Sequence, residues 1–302
     1  MGYMHQEHQY LSLIKKILAE GVKVPSRNGT VYSVFGETMR YSLREDTLPL
    51  LTTKRMGWKT CMNELLWFIR GQTNNNELTK KNVHIWDGNS SKEYLQSIGL
   101  DYPEGELGPI YGFQWRHFNC AYPSTQPTRG IHREELNEEV DPRDQLRWIM
   151  SQLVNPKKRH SRRLILSAWN PCQINDMALP PCHVLSQFWV NPETMELSCH
   201  LYQRSGDVGL GVPFNISSYS MLTIMMAKFC GLKAGELVHT LGDAHIYEEH
   251  REALEEQVKR EPYPFPKIRV IHIPDVFEEF SVDDFLVEEY QCHPRISMKM
   301  IV

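Results

Sequence analysis

Hydrophobic side chains recur at helix and strand spacing along the chain, and these periods predict a mixed α/β protein. Near the start, Tyr10, Ile14 and Ile17 share one face of a helix that Gly21 can end. The next alternating segment predicts a strand over residues 30–43. The same periods predict helices over residues 59–70, 144–153 and 217–230, and strands over residues 183–190, 197–202 and 267–273.

One cysteine follows two prolines at the start of an apolar run, in the sequence LPPCHVLSQF. The prolines remove two amide donors and fix the backbone before Cys182, while the strand predicted over residues 183–190 gives the thiol a rigid support. This arrangement is typical of a presented nucleophile. Most cysteines of intracellular proteins are small buried hydrophobic residues, so from this motif alone both interpretations stay open.

A polar cluster follows the next strand, in YQRSGDVGLGVPFN. Arg204 beside Ser205 suits a phosphate, because a guanidinium and a hydroxyl both donate hydrogen bonds to phosphate oxygens. Asn215 carries an amide donor and an acceptor, so it can match a planar heterocycle that presents one of each, such as uracil. Its position before the helix predicted over residues 217–230 equally fits a helix cap, and both roles stay open.

A glutamate interrupts the apolar face of the helix predicted over residues 59–70. Glu64 lies three positions after Cys61 and three before Trp67, so it shares their face of the helix. Burial there would raise the pKa of the carboxyl toward neutrality and suit it to proton transfer. The alternative is a carboxylate that reaches water at the helix edge, and the clustering of perturbed carboxylates at functional sites favours the catalytic interpretation.

Composition limits the function classes. The 302 residues are 41% hydrophobic and 23% charged, enough for one sizeable core in a single domain. A net charge of −4 argues against nucleic acid as a stable partner. Seven cysteines without a CxxC pair fit a reducing compartment better than a disulfide or zinc framework. No signal peptide or membrane-spanning run is visible, which predicts a cytoplasmic protein, and the basic stretch PKKRHSRR also allows a nuclear one.

Together these motifs resemble the folate-dependent, dUMP-methylating thymidylate synthases. PPCH, QRSGD, PFN and GDAHIY stand at the family's spacing, and its order is kept by SVFGETMRYSL, LPLLTTKR, ELLWFIRG, HIWDGN, GELGPIYGFQWRHF and SRRLILSAWNP. The resemblance extends over nearly the whole chain, from about Tyr10 to Val302. It implies an α/β fold in one domain over residues 1–302, a mixed β-sheet flanked by helices, and a homodimer formed through the sheet face.

The resemblance implies reductive methylation of dUMP to dTMP, with methylenetetrahydrofolate as donor of carbon and hydride, dihydrofolate as product and no metal. Cys182 would attack carbon 6 of the pyrimidine, and Arg204 would lower the pKa of that thiol while binding the phosphate. Glu64 and Tyr111 would transfer protons. The catalytic residues implied are Cys182, Glu64, Tyr111, Arg204, Asn215 and His183.

The family's ligand contacts map onto further residues. Those implied for dUMP are Arg27, Arg162, Arg163, Gln203, Arg204, Ser205, Asp207, Asn215, His245 and Tyr247, with Arg162 and Arg163 donated to the site of the partner subunit. Those implied for folate are Ile85, Trp86, Asp87, Asp207, Leu210, Phe214 and Val302, the last closing the pocket. The segment around Arg27 departs from the family pattern, because PSRNGTVYS is one residue shorter than the usual phosphate loop. An ungapped alignment puts Ser26 at that position.

Residues 119–147 mix proline, charge and small polar side chains and predict a surface insertion. The nearest alternative enzyme is a dUMP hydroxymethylase on the same scaffold, in which water rather than hydride captures the methylene intermediate. Asn215 argues against a cytosine substrate, for which an aspartate would suit the ring amino group, and Trp86 with the apolar end of the chain argues against the uracil form. An RNA-binding role on the same fold has little support from the charge distribution.

Overall fold

The structure, a computed structural model, describes residues 5–123 and 128–301. The helices in these ranges are α1 (His8–Glu20), α2 (Trp58–Ile69), α3 (Asn76–Thr79), α4 (Asp87–Ser90), α5 (Lys92–Ser97), α6 (Tyr111–Arg116), α7 (Gln145–Val154), α8 (Gly211–Phe229) and α9 (Arg251–Gln257). The strands are β1 (Val22–Ser26), β2 (Gly29–Ser42), β3 (Ile165–Ser167), β4 (His183–Val190), β5 (Glu196–Asp207), β6 (Lys233–Tyr247), β7 (Lys267–Val270) and β8 (Phe285–Glu288).

Six strands form one mixed sheet in the order β1-β2-β6-β5-β4-β3, and β7 pairs with β8 separately. Neighbours in the large sheet are antiparallel except β5 and β6, which are parallel. The register pairs His183 with Gln203 and Asp207 with His245. One end of the sheet therefore gathers the start of β4 and the ends of β5 and β6. The α/β class, the single domain and the mixed sheet flanked by helices are confirmed.

The central helix α8 packs against β5 and β6 on one side and against α2 on another. Ile216, Leu222 and Met226 are fully buried, and nearly every residue of this helix is inaccessible to solvent. A helix that is apolar all round needs such a central position. No helix in the described ranges combines the length and the hydrophobicity needed to cross a bilayer.

Most predicted elements occur where expected, but some boundaries differ. The helix predicted over residues 217–230 begins at Gly211, because Pro213 is tolerated in a first turn, where amide donors have no partner within the helix. Asn215 consequently lies inside α8, and the helix-cap interpretation is wrong. The sequence did not predict β1, and the strand predicted over residues 267–273 ends at Val270.

The predicted surface insertion over residues 119–147 is partly packed into the molecule. Ile131 and Leu136 are buried, and the Ile131 N–H donates to Glu278 Oε2 at 2.8 Å. At its end, Asp144 caps α7 by accepting from the Arg147 N–H at 3.1 Å. The composition predicted an exposed segment, but a few apolar residues are enough to fix it to the core.

Candidate active site

Cys182 lies immediately before β4, at the end of the sheet where β5 and β6 finish. The Arg204 N–H donates to the Cys182 carbonyl at 2.9 Å. The Arg204 side chain holds the segment before the cysteine, donating from Nε to Pro181 O at 3.0 Å and from Nη2 to Pro180 O at 2.8 Å. The two prolines lack amide donors, but their carbonyls accept these bonds, so Arg204 fixes the approach to the half-buried thiol.

The thiol is a weaker acid than the sequence predicted. Burial raises the pKa of Cys182, while the charge of Arg204 and a hydrogen bond with Tyr111 act to lower it. Arg204 acts to lower the pKa of this thiol, as predicted, but burial raises that pKa by more. The Cys182 N–H also donates to Tyr111 Oη at 2.7 Å, so the phenol lies directly against the nucleophile.

Glu64 faces an aromatic wall on the other side of the site. It is only 9% exposed, and the Trp86 indole N–H donates to its Oε1 atom at 2.8 Å. Burial raises the pKa of Glu64 to about 7, and the bond from Trp86 partly opposes this shift. The alternative of a carboxylate that reaches water is wrong. The Trp86 and Tyr111 rings lie 6.0 Å apart, which connects this carboxyl to the cysteine side of the site.

A chain of three side chains sets the orientation of Asn215. Gln203 donates from Nε2 to Asn215 Oδ1 and to Ser205 O, both at 2.9 Å, and its Oε1 atom accepts from His239 Nε2 at 2.8 Å. Burial lowers the pKa of His239 to about 3, so the ring is neutral and carries its proton on Nε2. The chain therefore makes Oδ1 the accepting atom and Nδ2 the donating atom of Asn215.

His183 lies between Tyr111 and Tyr219, with ring centroids 5.0 Å and 5.3 Å away. Burial lowers its pKa to about 4, although a hydrogen bond with Asn215 acts in the opposite direction. A buried neutral imidazole is therefore part of the wall beside Cys182 and Asn215, and it adds no positive charge there at neutral pH.

His245 and Tyr247, which the resemblance implied as contacts of dUMP, end β6 beside Asp207. His245 Nδ1 lies 2.9 Å from Asp243 Oδ1, and the two rings stand perpendicular with centroids 5.5 Å apart. Both side chains are half-buried. A ligand that reaches Cys182 would therefore meet an imidazole and a phenol at the end of the neighbouring strand.

Three of the residues predicted to bind dUMP, namely Arg27, Arg162 and Arg163, lie at the two edges of the sheet. Arg27 forms the turn of the β1–β2 hairpin, where its Nη1 donates to Tyr94 Oη at 3.2 Å. Tyr94 Oη donates in turn to Ala178 O at 3.2 Å, so the hairpin tip reaches the segment that leads to Cys182. Arg162 and Arg163 are exposed before β3, the strand at the opposite edge.

A pocket of about 480 Å³ opens beside Leu210 and Phe214, two of the residues predicted to contact folate. Its other lining residues are Lys54, Arg55, Met56, Gly57, Thr60, Arg295, Ile296 and Met298. Three cations among apolar side chains suit an aromatic ligand that carries carboxylates.

The remaining residues predicted for folate differ in their surroundings. Ile85 is half-buried, whereas the carboxylate of Asp87 is exposed and accepts from Asn75 Nδ2 at 2.8 Å. Asp207 Oδ1 accepts from the Gly209 N–H at 2.8 Å. Val302 lies outside the described residues.

Sequence reasoning assigned no role to Lys54 or His239. Lys54 Nζ donates to Gly209 O at 2.5 Å, and burial lowers its pKa to about 8 against the opposing charges of Asp207 and Glu7. In the sequence, the position of Lys54 shortly after the apolar run LPLL was the signal that its side chain is buried. His239 stands at an inward position of an alternating strand, which was the signal there. In the described ranges no group of three His, Cys, Asp or Glu side chains could hold a metal ion.

The family model described as thymidylate synthase matches residues 8–302 of the chain. A thymidylate synthase of Homo sapiens is 51% identical over 301 residues, which cover 99% of this chain and 91% of that protein. A thymidylate synthase of Saccharomyces cerevisiae is 47% identical, covering 100% and 99%. A bifunctional dihydrofolate reductase-thymidylate synthase of Leishmania amazonensis is 50% identical over 99% of this chain, which spans 56% of that relative's length.

Proposed function

Because the chain belongs to the thymidylate synthase family, we propose that it methylates dUMP reductively to dTMP. Methylenetetrahydrofolate is the donor of carbon and hydride, and dihydrofolate is the second product. One arrangement supports this most directly: a nucleophile, Cys182, stands at one end of the sheet with a cation, Arg204, and an oriented amide, Asn215. These are the groups needed to attack the pyrimidine of a nucleotide, bind the phosphate of that nucleotide and form hydrogen bonds with the edge of its base.

The first step uses Cys182 and Asn215. Attack of the Cys182 thiolate on carbon 6 of uracil forms a carbon–sulfur bond, and the electron pair of the ring double bond moves toward the carbonyl oxygen at carbon 4. The Nδ2 group of Asn215 donates to that oxygen and stabilises its developing charge. Carbon 5 thereby becomes a nucleophile. After the one-carbon unit is transferred, carbon 5 loses its proton, the bond from that unit to the folate nitrogen breaks, and hydride from the folate reduces the unit to a methyl group. The electron pair that returns to the ring then expels Cys182 from carbon 6 as the thiolate.

Proton transfer belongs to Glu64 and Tyr111. A carboxyl with a pKa of about 7 both gives and takes a proton near neutral pH. Burial raises the pKa of Tyr111 well above its ordinary value, so it acts as a neutral phenol against the nucleophile. His183, held neutral by burial, supports the ring from the same wall.

The folate side is the pocket beside Leu210 and Phe214. When bound there, methylenetetrahydrofolate supplies the one-carbon electrophile and the hydride. Lys54, Arg55 and Arg295 line this pocket and offer positive charge for its carboxylates. Trp86 and Ile85, which do not line it, would offer apolar surface. Asp207 anchors the heterocycle, and Val302 closes the pocket against water.

We also propose a homodimer that forms through the exposed face of the six-stranded sheet. Phe35 on β2 is 83% exposed and Trp189 on β4 is 51% exposed, which is costly for aromatic side chains of a free sheet. A second copy of the chain would cover them in an isologous contact. Arg162 and Arg163, exposed at the β3 edge, would then bind the phosphate in the partner's site, and Arg27 would bind it from the same chain.

Subunit mixing tests this arrangement. A Cys182→Ala chain and an Arg162→Ala, Arg163→Ala chain are each expected to be inactive. After denaturation and mixing, roughly a quarter of the sites combine an intact cysteine with intact arginines if the arginines cross the interface. Recovered activity near that level supports arginines that act in the partner's site. If the mixture sediments as dimers and no activity is recovered, that arrangement is contradicted.

A cytoplasmic location is part of the proposal. The seven cysteines, all within the described ranges, are free thiols, which suits a reducing compartment. Imaging of the tagged chain tests this location. A Lys157→Ala, Lys158→Ala variant tests whether the basic stretch PKKRHSRR directs a fraction of the protein to the nucleus.

Product identity tests the reaction. The purified protein is incubated with dUMP and methylenetetrahydrofolate, and nucleotide and folate are both identified by mass. We expect dTMP with dihydrofolate from the wild type and from Cys172→Ser, which alters an exposed thiol, and neither product from Cys182→Ala. Hydroxymethyl-dUMP with tetrahydrofolate would overturn the reductive half of the proposal, and unchanged dUMP would overturn all of it.

A further inference from the structure

Residues 289–301, called the tail segment here, lie along the loop that carries Lys54. Tyr290 Oη donates to Leu51 O at 2.7 Å, and the His293 N–H donates to Thr52 O at 2.7 Å. Arg260 Nη1 donates to Pro294 O at 2.8 Å. These bonds fix the first half of the tail segment to the wall of the folate pocket.

The far end of the tail segment is held by a buried histidine. His250 has no exposed surface, and its Nε2 atom lies 2.7 Å from Lys299 O. Because a carbonyl only accepts, Nε2 carries the proton and donates. On the other side of the ring, Nδ1 lies 3.8 Å from Asp207 Oδ1, which is beyond hydrogen-bonding distance but within range of charge attraction when the ring is protonated.

Gly209 shows how closely these parts meet. A Cβ atom on this glycine would lie 2.8 Å from His250 Nδ1 and 3.2 Å from both Asp207 Oδ1 and Met298 Sδ. Histidine, aspartate and tail segment therefore converge on one residue that has no side chain. The carbonyl of the same residue accepts from Lys54, and its N–H donates to Asp207.

The electrostatics of the ring agree with this geometry. Burial acts to lower the pKa of His250, but Asp207 and the Lys299 carbonyl outweigh it, and the pKa is raised. Glu249 adds a further negative charge nearby, and the Tyr247 ring stands 5.6 Å away. The environment thus favours a ring that is held between the tail segment and the Asp207 carboxylate.

We propose that His250 is a positioning residue that couples the end of the tail segment to Asp207 through its two ring nitrogens. The inference rests on the proposed function, in which Asp207 anchors the folate heterocycle and the chain end closes over it. If Asp207 shifts, His250 shifts with it, and its contact with the tail segment changes. If the tail segment is released, His250 is less firmly held, and its contact with Asp207 changes. His250 itself touches no reacting atom.

Hydrogen exchange of the free protein tests the coupling without any turnover. In His250→Leu, the amides of residues 297–301 are expected to exchange about tenfold faster, because the last bond to the tail segment is lost. His250→Gln keeps an amide donor near the position of Nε2 and is expected to restore most of the protection. His272→Leu is a matched control, since this exposed ring also faces an aspartate, Asp284 Oδ1 at 2.8 Å.

Kinetics supply the second readout. His250→Leu is expected to raise the KM for methylenetetrahydrofolate about tenfold and to leave the dissociation constant of dUMP within about twofold of the wild type. If that variant does not fold, Gly209→Ala takes its place, because its Cβ displaces His250 and Met298. Unchanged tail protection in the folded variant overturns the inference, as does equal loss of protection in His250→Leu and His250→Gln. Loss of dTMP formation in the wild type would overturn the proposed function alone.

Discussion

Trp86 donates its indole N–H to Glu64 Oε1 at 2.8 Å, and this bond ties the carboxyl on the apolar face of α2 to the aromatic wall of the site. The hydrogen bond favours the ionised carboxylate, whereas burial favours the neutral acid, and burial is the larger effect. A group with a pKa of about 7 is useful for proton transfer but costs the folded state stability.

Glu64→Gln is expected to stabilise the fold while it abolishes turnover. The unfolded carboxyl ionises near its ordinary pKa of 4.5, whereas the folded one stays protonated up to about pH 7, so the wild type loses stability as pH rises between these values. The full difference between the folded and unfolded pKa values corresponds to about 3 kcal/mol in the free energy of unfolding. Urea unfolding of both proteins at pH 8 and pH 4.5 checks this, with the gain present only at pH 8.

Trp86→Phe is the matched control for that experiment. It keeps an aromatic ring in the wall but removes the donor, so the pKa of Glu64 is expected to rise further and the pH profile of turnover to shift upward. A stability gain of Glu64→Gln that is equal at both pH values would contradict a raised pKa.

Alkylation of Cys182 is expected to be slow at neutral pH. Burial raises the pKa of this thiol, and only the thiolate reacts quickly. The rate with iodoacetamide, read by mass at Cys182, should keep rising above pH 9, whereas the exposed Cys172 reports the behaviour of an accessible thiol in the same sample. Arg204→Gln removes the nearby cation and is expected to slow the reaction of Cys182 further. A faster reaction in that variant would show that Arg204 mainly shields the thiol.

His239→Phe is expected to raise the KM for dUMP about tenfold with a smaller effect on kcat. The ring donates to Gln203, which in turn orients Asn215, and without it the Gln203 amide is free to turn over. Discrimination between dUMP and dCMP should fall as well. When Gln203 no longer fixes the amide group of Asn215, that group can rotate, and its donor and acceptor atoms exchange places. His239→Gln keeps a donor and should restore both values. A loss of kcat alone would indicate a general packing defect.

Arg27→Ala tests the shortened hairpin. Arg27 stands at the turn and contacts Tyr94, so loss of a phosphate contact is expected to raise the KM for dUMP about tenfold. Lys23→Ala, on the same hairpin and paired with Glu248 at 2.9 Å, is the control and should leave the KM unchanged. Equal KM values for the wild type and Arg27→Ala would mean that another residue binds the phosphate.

Most of the fold was predictable because strong periods mark the long elements. The helix containing Glu64 and the strand after Cys182 were found with their boundaries nearly correct, since an apolar face or a short alternating run is set by local spacing. The hairpin strand β1 was missed because all five of its residues are exposed, so it has no alternation to detect. The start of α8 was missed because glycine and proline within GLGVPF suggested a turn.

The site was only partly predictable. Cys182, Arg204 and Asn215 stand in motifs with unusual chemistry, and the meeting of the first two follows from the pairing of β4 with β5. The link from His239 to Asn215 spans three separate segments, and its partners are ordinary residues in the sequence. The net pKa of Cys182 depends on burial from the whole fold, which no local motif contains. The tail contact of His250 is hidden for the same reason.

Arg116→Met is expected to destabilise the protein by about 3–5 kcal/mol, because it leaves two carboxylates that are only 14% exposed without their cation. The Arg116 side chain has no exposed surface and donates to Asp144 at 2.9 Å and to Glu278. It thereby joins the segment before α7 to the segment after β7.

Arg143→Met is the control for that prediction. Arg143 pairs with Asp141 at 2.7 Å, but its side chain is 57% exposed, and water screens such a pair, so its loss is expected to have little effect on stability. Urea unfolding of both variants at one protein concentration gives the two costs. The charge-free variant Arg116→Met, Asp144→Asn, Glu278→Gln should regain part of the loss, since no buried charge then stays unpaired. Equal costs for Arg116→Met and Arg143→Met would mean that the packed part of residues 119–147 is held by its apolar contacts instead.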